Sequence, residues 1–140
     1  MALEQDRTSR DYLYGRLLAI AESIEERALH VVKESRETTA ARLMQRFSMR
    51  PSSTWRSIEL ALVPYKAHLR SHRPAVLIAR ERFLASVIGM FRTGDFLDDR
   101  PLSGEFLLGY HCQRAALWDS LPDSTGAEAH DRTFKNGAAE

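Results

Sequence analysis

Apolar residues recur every three or four positions along most of the chain, the period of helices that each bury one face. From Asp11 to Val32 the stripe is Leu13, Leu17, Ile20, Ile24, Ala28 and Val31. It predicts a first helix with Glu22, Glu25, Glu26 and Arg27 on its polar face. Thr38 or Thr39 is placed to cap a second helix whose inner face is Leu43 and Phe47. Pro51 closes that pattern and opens a third helix through Trp55, Ile58 and Leu62; Pro64, inside it, is expected to kink or split it. Pro74 opens a fourth helix with Val76, Phe83, Leu84, Val87, Ile88 and Phe91, ended by the Thr93-Gly94-Asp95 turn. A linker at Asp98-Asp99-Arg100-Pro101 leads to Ser103, the expected cap of a fifth helix carrying Phe106, Leu107, Tyr110 and Leu117.

No segment alternates with strand period, no hairpin dipeptide competes, and no internal repeat is visible. The expected fold class is therefore all-α, a compact bundle of about five helices. It is bounded as an N-terminal extension over 1–10, a helical bundle over 11–121, and a disordered tail over 122–140, where the residues turn small and polar. A length of 140 residues suits one domain with its own core, and 44% apolar with 28% charged residues is ordinary for a soluble globular chain.

Several classes are excluded at this point. The longest uncharged apolar stretch, Phe83 to Phe91, is far shorter than the ~20 residues that span a bilayer, so no membrane role is expected. Charges at Glu4, Asp6, Arg7, Arg10, Asp11 and Arg16 leave no secretory apolar region in the first twenty residues. Cys112, alone, can form no internal disulfide and fits a reducing, cytoplasmic setting.

Charge changes the picture more than composition does. The net charge of +1 averages three unlike segments: −2 over 1–39, +8 over 40–92 and −5 over 93–140. Arginine outnumbers lysine seventeen to three, and arginine is the better residue for bidentate phosphate contact. Arg42, Arg46 and Arg50 stand at i, i+4, i+8, which on one helix makes a ladder of guanidinium groups roughly 6 Å apart. Lys66, Arg70 and Arg73 repeat it at i, i+4, i+7, with His68 and His72 beside them and Arg56 between the two ladders. These seven cations are the candidate nucleic-acid-binding residues: such ladders can track a phosphate backbone without reading its sequence. The alternative is that they are solvated faces neutralised by acids on the first and fifth helices. Base reading has no motif here. Trp55, Tyr65 and Phe47 offer stacking surfaces or, at helical spacing, core.

Catalysis and metal binding find no support. There is no phosphate loop, no nucleophile elbow and no carboxylate pair on an apolar face. His68 and His72 have a metal-compatible spacing, but no intervening glutamate and cationic neighbours. His111 and Cys112, adjacent in sequence, point apart on a helix. No enzyme activity, cofactor or metal site is expected.

Two segments carry a resemblance. Asp11-Tyr12-Leu13-Tyr14-Gly15-Arg16-Leu17-Leu18-Ala19 resembles the Y-L-x-G-R-L-x-A segment near the carboxyl end of the large subunit of the type I-C CRISPR surveillance complex, Cascade. Phe106-Leu107-Leu108-Gly109-Tyr110-His111-Cys112-Gln113-Arg114 resembles the F-x-L-G-Y-x-x-Q-R segment that closes the same region. Thr38-Thr39-Ala40-Ala41-Arg42 and Ser48-Met49-Arg50-Pro51, between them, are similar to the family's helix, polar turn and proline. The match is collinear over about residues 11–118. It departs at Ser103, where the family usually has Gln or Glu, and at Cys112.

The resemblance implies a separately translated small subunit, present in more than one copy along the belly of the complex. It implies a five-helix bundle without catalysis that braces the RNA-bearing backbone and stabilises the R-loop. The implied partners are the large subunit, the backbone subunits, another copy of itself, the guide RNA–target DNA hybrid and the displaced DNA strand. A purely structural spacer, touching other subunits and no nucleic acid, is the alternative. Gly15 and Gly109 are expected to permit close helix packing, since glycine inside a helix costs about 1 kcal/mol relative to alanine.

Overall fold

The computed structural model describes residues 3, 4 and 6–119, so the tail expected over 122–140 lies outside the described residues. Among the described residues there are six α-helices and no strand: α1 (Arg10–Val31), α2 (Thr39–Arg42), α3 (Met44–Met49), α4 (Pro51–His72), α5 (Pro74–Ile88) and α6 (Glu105–Asp119). A single 3₁₀ turn, Asp95–Leu97, lies between α5 and α6. The all-α expectation holds, with the second predicted helix divided into α2 and α3. Arg10, assigned from sequence to the extension, is the first residue of α1.

The first helix differs most from its sequence reading. Its polar face does not meet solvent: every residue from Tyr12 to Glu25 is buried, including Arg16, Glu22, Ser23 and Glu25. α1 is the axis of the bundle, packed by α6, α4, α5 and α2. A helix surrounded on all sides must bury its charges, and buried charges require partners. The core forms around it from Leu17, Ile20 and Ile24 with Phe47, Trp55, Ile58, Leu62, Leu84 and Tyr110.

The α1–α6 seam is the tightest. A Cβ on Gly15 would fall 2.7 Å from the Tyr110 amide nitrogen and nearer still to the Phe106 carbonyl oxygen; one on Gly109 would strike the Tyr12 backbone. The expected close packing at both glycines is thus what the fold uses them for.

Caps and prolines behave as local chemistry dictates. The Thr38 hydroxyl accepts from the Ala41 N–H at 3.1 Å and starts α2. Pro64 neither ends nor divides α4, which runs on to His72. Leu60, Val63 and Pro64 are all exposed, so the hydrogen bond that proline removes lies on the side where water replaces it. Phe83, assigned to the inner stripe of α5, and Leu107, assigned to that of α6, are both exposed instead, at 37% and 42%.

Asp99 supplies the cap that Arg50, at the start of α4, does not. One carboxylate oxygen accepts from the Ser52 and Ser53 N–H groups at 3.0 and 3.1 Å, and the other from the Ser53 hydroxyl at 2.5 Å. The Ser53 hydroxyl above all, with these amides and the nearby Arg50 charge, holds the Asp99 carboxyl below its ordinary value of 3.8. Asp99→Ala is expected to cost about 1 kcal/mol at neutral pH. Because the folded pKa is the lower one, that stabilisation is full above the unfolded value and fades as pH falls through the folded one. Melting curves of the two proteins should therefore converge in acid; a gap that persists there would rule out the ionised cap.

Candidate nucleic-acid interface

The seven predicted cations lie on the α2–α4 side of the bundle, but not as two straight ladders. Arg42 closes α2, Arg46 lies in α3, and Arg50 has left the helix at φ −143° and ψ 74°. The chain turns at Leu43 and again at Arg50, so the single-helix spacing of i, i+4, i+8 does not apply. The second set is more regular: Lys66 and Arg70 belong to α4, while Arg73 sits just past its end at φ −140°.

Exposure separates these residues further. Arg42, Arg46, Arg50, Arg56 and Arg70 are exposed, and Lys66 and Arg73 half-buried. Lys66 lies 3.6 Å from Glu81 of α5, so part of its charge is neutralised within the molecule. Among the described residues, no acid stands within salt-bridge distance of Arg42, Arg46, Arg56, Arg70 or Arg73. Acids of α1 and α6 are engaged elsewhere among the described residues: Asp11 with Arg10, Glu22 and Glu26 with Arg114, Glu25 with Arg36, and Glu105 with Arg7.

Not every cation of the basic middle reaches the surface. Arg80 is 3% exposed, and its Nε donates to Ser23 Oγ at 2.9 Å. Of the possible stacking residues, Phe47 and Trp55 are buried in the core, and Tyr65 carries the Arg36 guanidinium 5.4 Å above its ring. The His68 and His72 rings meet edge to face at 5.1 Å, and His72 Nδ1 donates to the His68 carbonyl at 2.9 Å. No cluster of three or more metal-ligating side chains occurs among the described residues. None of the helices there is long and apolar enough to cross a membrane.

The two segments that carry the resemblance face each other across the α1–α6 seam. Buried Arg16 donates through Nε to Gln113 Oε1 at 2.7 Å and reaches the Met90 sulfur at 3.6 Å. Glu22 accepts from the Tyr110 hydroxyl and from Arg114 Nη1, and its other oxygen accepts from the Thr38 hydroxyl at 3.0 Å. Burial first, then the hydrogen bond to Glu22, pushes the Tyr110 phenol well above its ordinary value. Sequence reasoning singled out neither Arg16 nor Gln113 nor Glu22 as a partner. For Arg16 and Glu22 the one signal was a charge within an otherwise apolar helical stretch.

Fold and surface together define an all-α domain whose motif residues build its interior seam and whose exposed candidate cations lie on α2, α3 and α4 and at their ends. The chain belongs to the CRISPR-associated Csd1 family: the model of CRISPR-associated protein (Cas_Csd1) matches residues 1–118. No curated protein matches it.

Proposed function

We propose that this CRISPR-associated protein is the non-catalytic small subunit of a type I-C RNA-guided surveillance complex in the cytoplasm. In this reading it braces the backbone beside the large subunit and another copy of itself. It stabilises the R-loop by sequence-independent phosphate contacts, including contacts with the displaced strand. Family membership and the two matched segments support the assignment to such a complex. One observation carries the nucleic-acid role: Arg42, Arg46, Arg56 and Arg70 are held out to solvent with no acidic partner among the described residues. Guanidinium groups displayed in this way suit a single strand of arbitrary sequence, where backbone charge is the only constant feature.

A specific feature favours the spacer alternative. On α4 the exposed residues Arg56, Leu60, Val63, Ala67 and Arg70 follow steps of four and three, with Leu60 75% and Val63 60% exposed. An apolar stripe between two arginines suits another protein better than a phosphate chain.

Charge reversal separates the readings. Arg42→Glu with Arg46→Glu is expected to leave assembly intact and weaken target-DNA binding by about tenfold or more. It should also flatten the salt dependence by roughly 0.7 for each single-strand phosphate that is no longer neutralised. Arg50 is left in place because its charge acts on the Asp99 cap. DNA affinity unchanged across a salt series would overturn the phosphate role. Leu60→Asp blocking assembly in the same assay would establish the spacer.

A further inference from the structure

Leu97, in the 3₁₀ turn Asp95–Leu97, is 68% exposed. Of the exposed large apolar side chains among the described residues, it alone has acids within two positions on both sides: Asp95 before it, Asp98 and Asp99 after. Asp98 is tied to Arg100 and Asp99 caps α4, whereas Asp95 has no ion pair with any described residue. The turn is fixed to the start of α1. Its Phe96 carbonyl accepts from the Tyr14 hydroxyl at 2.6 Å, and the Asp98 carbonyl accepts from Arg10 Nη2 at 2.9 Å. The result is an apolar knob with acidic neighbours at one end of the bundle.

The other end of α1 carries the complement. Ala28 and Leu29 of α1, Val32 just past it, and Pro64, Tyr65 and His68 of α4 line a groove of about 220 Å³. That is below the size of small-molecule sites, about 300–1,000 Å³, and suits a single apolar side chain. Ala28 and Leu29 are buried beneath it, while Val32 and Pro64 are exposed at its rim. Tyr65 is already placed under the Arg36 guanidinium. Glu34 is the acid of the lining, and Arg36 Nε lies 3.9 Å from it. From Leu60 to Arg73 the chain has no acid, and Arg70 and Arg73 have no acidic partner within salt-bridge distance among the described residues. The approach along α4 is therefore positive.

Knob and groove cannot meet within one chain. From Tyr14 to Leu29 α1 rises about 22 Å, which sets them at opposite ends of the same helix. A second copy offers the matching piece, apolar at its tip and acidic beside it. We infer that Leu97 of one copy seats in the groove at Val32, Pro64 and Tyr65 of the next, with its acids toward the basic end of α4. A knob at one end and a groove at the other make a heterologous contact, so copies join head to tail. Antiparallel pairing of two α4 helices, by contrast, would bring Arg56 and Arg70 together, like charge against like. The inference rests on the reading that the chain stands beside another copy of itself, and gives that contact its two surfaces.

Static light scattering of the full chain over a concentration series tests this. The wild-type mass is expected to rise with concentration. Leu97→Asp and Pro64→Glu should each weaken self-association by about tenfold or more, as loss of an interface anchor does. Neither change enters the core: both residues are exposed, and glutamate at 64 restores the helical N–H that proline lacks. An equal mixture of the two variants should associate again and stop at two chains, because the first keeps its groove and the second its knob. Trp118→Ala, at the most exposed large apolar side chain among the described residues, should leave association unchanged. A wild-type chain still monomeric at about 1 mM, or two variants that fail to complement each other, would overturn the inference. Association undiminished in both variants would overturn these two surfaces while leaving the pairing of copies in place. The DNA-binding test at Arg42 and Arg46 stands apart from all of these results.

Discussion

Alanine at Gly15 is expected to lower stability by about 3 kcal/mol or more, a drop of roughly 10 °C in Tm for a domain of this size. The added methyl would meet the Phe106 carbonyl and the Tyr110 amide, both backbone atoms of α6, which cannot rotate away. Relief therefore requires α1 and α6 to separate along their length. That separation would open the hydrogen bond between Arg16 and Gln113 and loosen the Tyr14, Phe91 and Phe96 cluster packed beside it. Gly109→Ala should behave alike, because its methyl would strike the Tyr12 backbone from the opposite side of the same crossing. The double variant should cost less than the two single variants summed, since one separation relieves both clashes. Thermal melts of the three proteins test this; a Gly15→Ala protein melting within about 2 °C of wild type would disprove the close approach.

The glycines show what the sequence made legible. A glycine within a helical apolar pattern signals a missing side chain and therefore a close neighbour, and the neighbour is where that logic places it. Helix starts were equally readable, because they are set locally, by the hydroxyl of Thr38 and by the rings of Pro51 and Pro74. The tertiary roles of charged residues were not. Arg16 and Glu22 follow the same helical pattern as exposed residues, and the partners that offset their burial, Gln113 for one and Tyr110 and Arg114 for the other, stand some ninety residues away. The ladder at Arg42, Arg46 and Arg50 failed for a related reason. Equal spacing in sequence implies a shared face only if the helix continues, and the chain turns at Leu43 and Arg50. Arg80 counts toward the +8 of residues 40–92, but net charge by segment does not record that it is buried against Ser23.

The acids of α1 also hold the cationic side of the molecule in place. Glu22 accepts from the Thr38 hydroxyl, and Glu25 Oε1 accepts from the Thr39 N–H at 2.9 Å. The Thr38 hydroxyl thus donates to Glu22 while accepting from Ala41, so Glu22 sets the direction of the cap that starts α2. Arg42 and Arg46 follow within two turns, so their placement depends on an acid buried at 5% exposure.

Glu22→Ala is expected to destabilise the protein by about 3 kcal/mol, because it strands the Tyr110 and Thr38 hydroxyls and leaves Arg114 paired with Glu26 alone. The cost is kept below that of a fully buried pair because Arg114 is 38% exposed and water can reach it. Glu22→Gln retains the shape and most acceptors, so its effect should be smaller, about 1 kcal/mol. The Ala41 amide, protected by the cap, should exchange its hydrogen faster in Glu22→Ala than in the glutamine variant. A cycle with Thr38→Ala measures the coupling directly. If the Glu22 and Thr38 effects simply add, the two side chains act independently and the acid does not orient the cap.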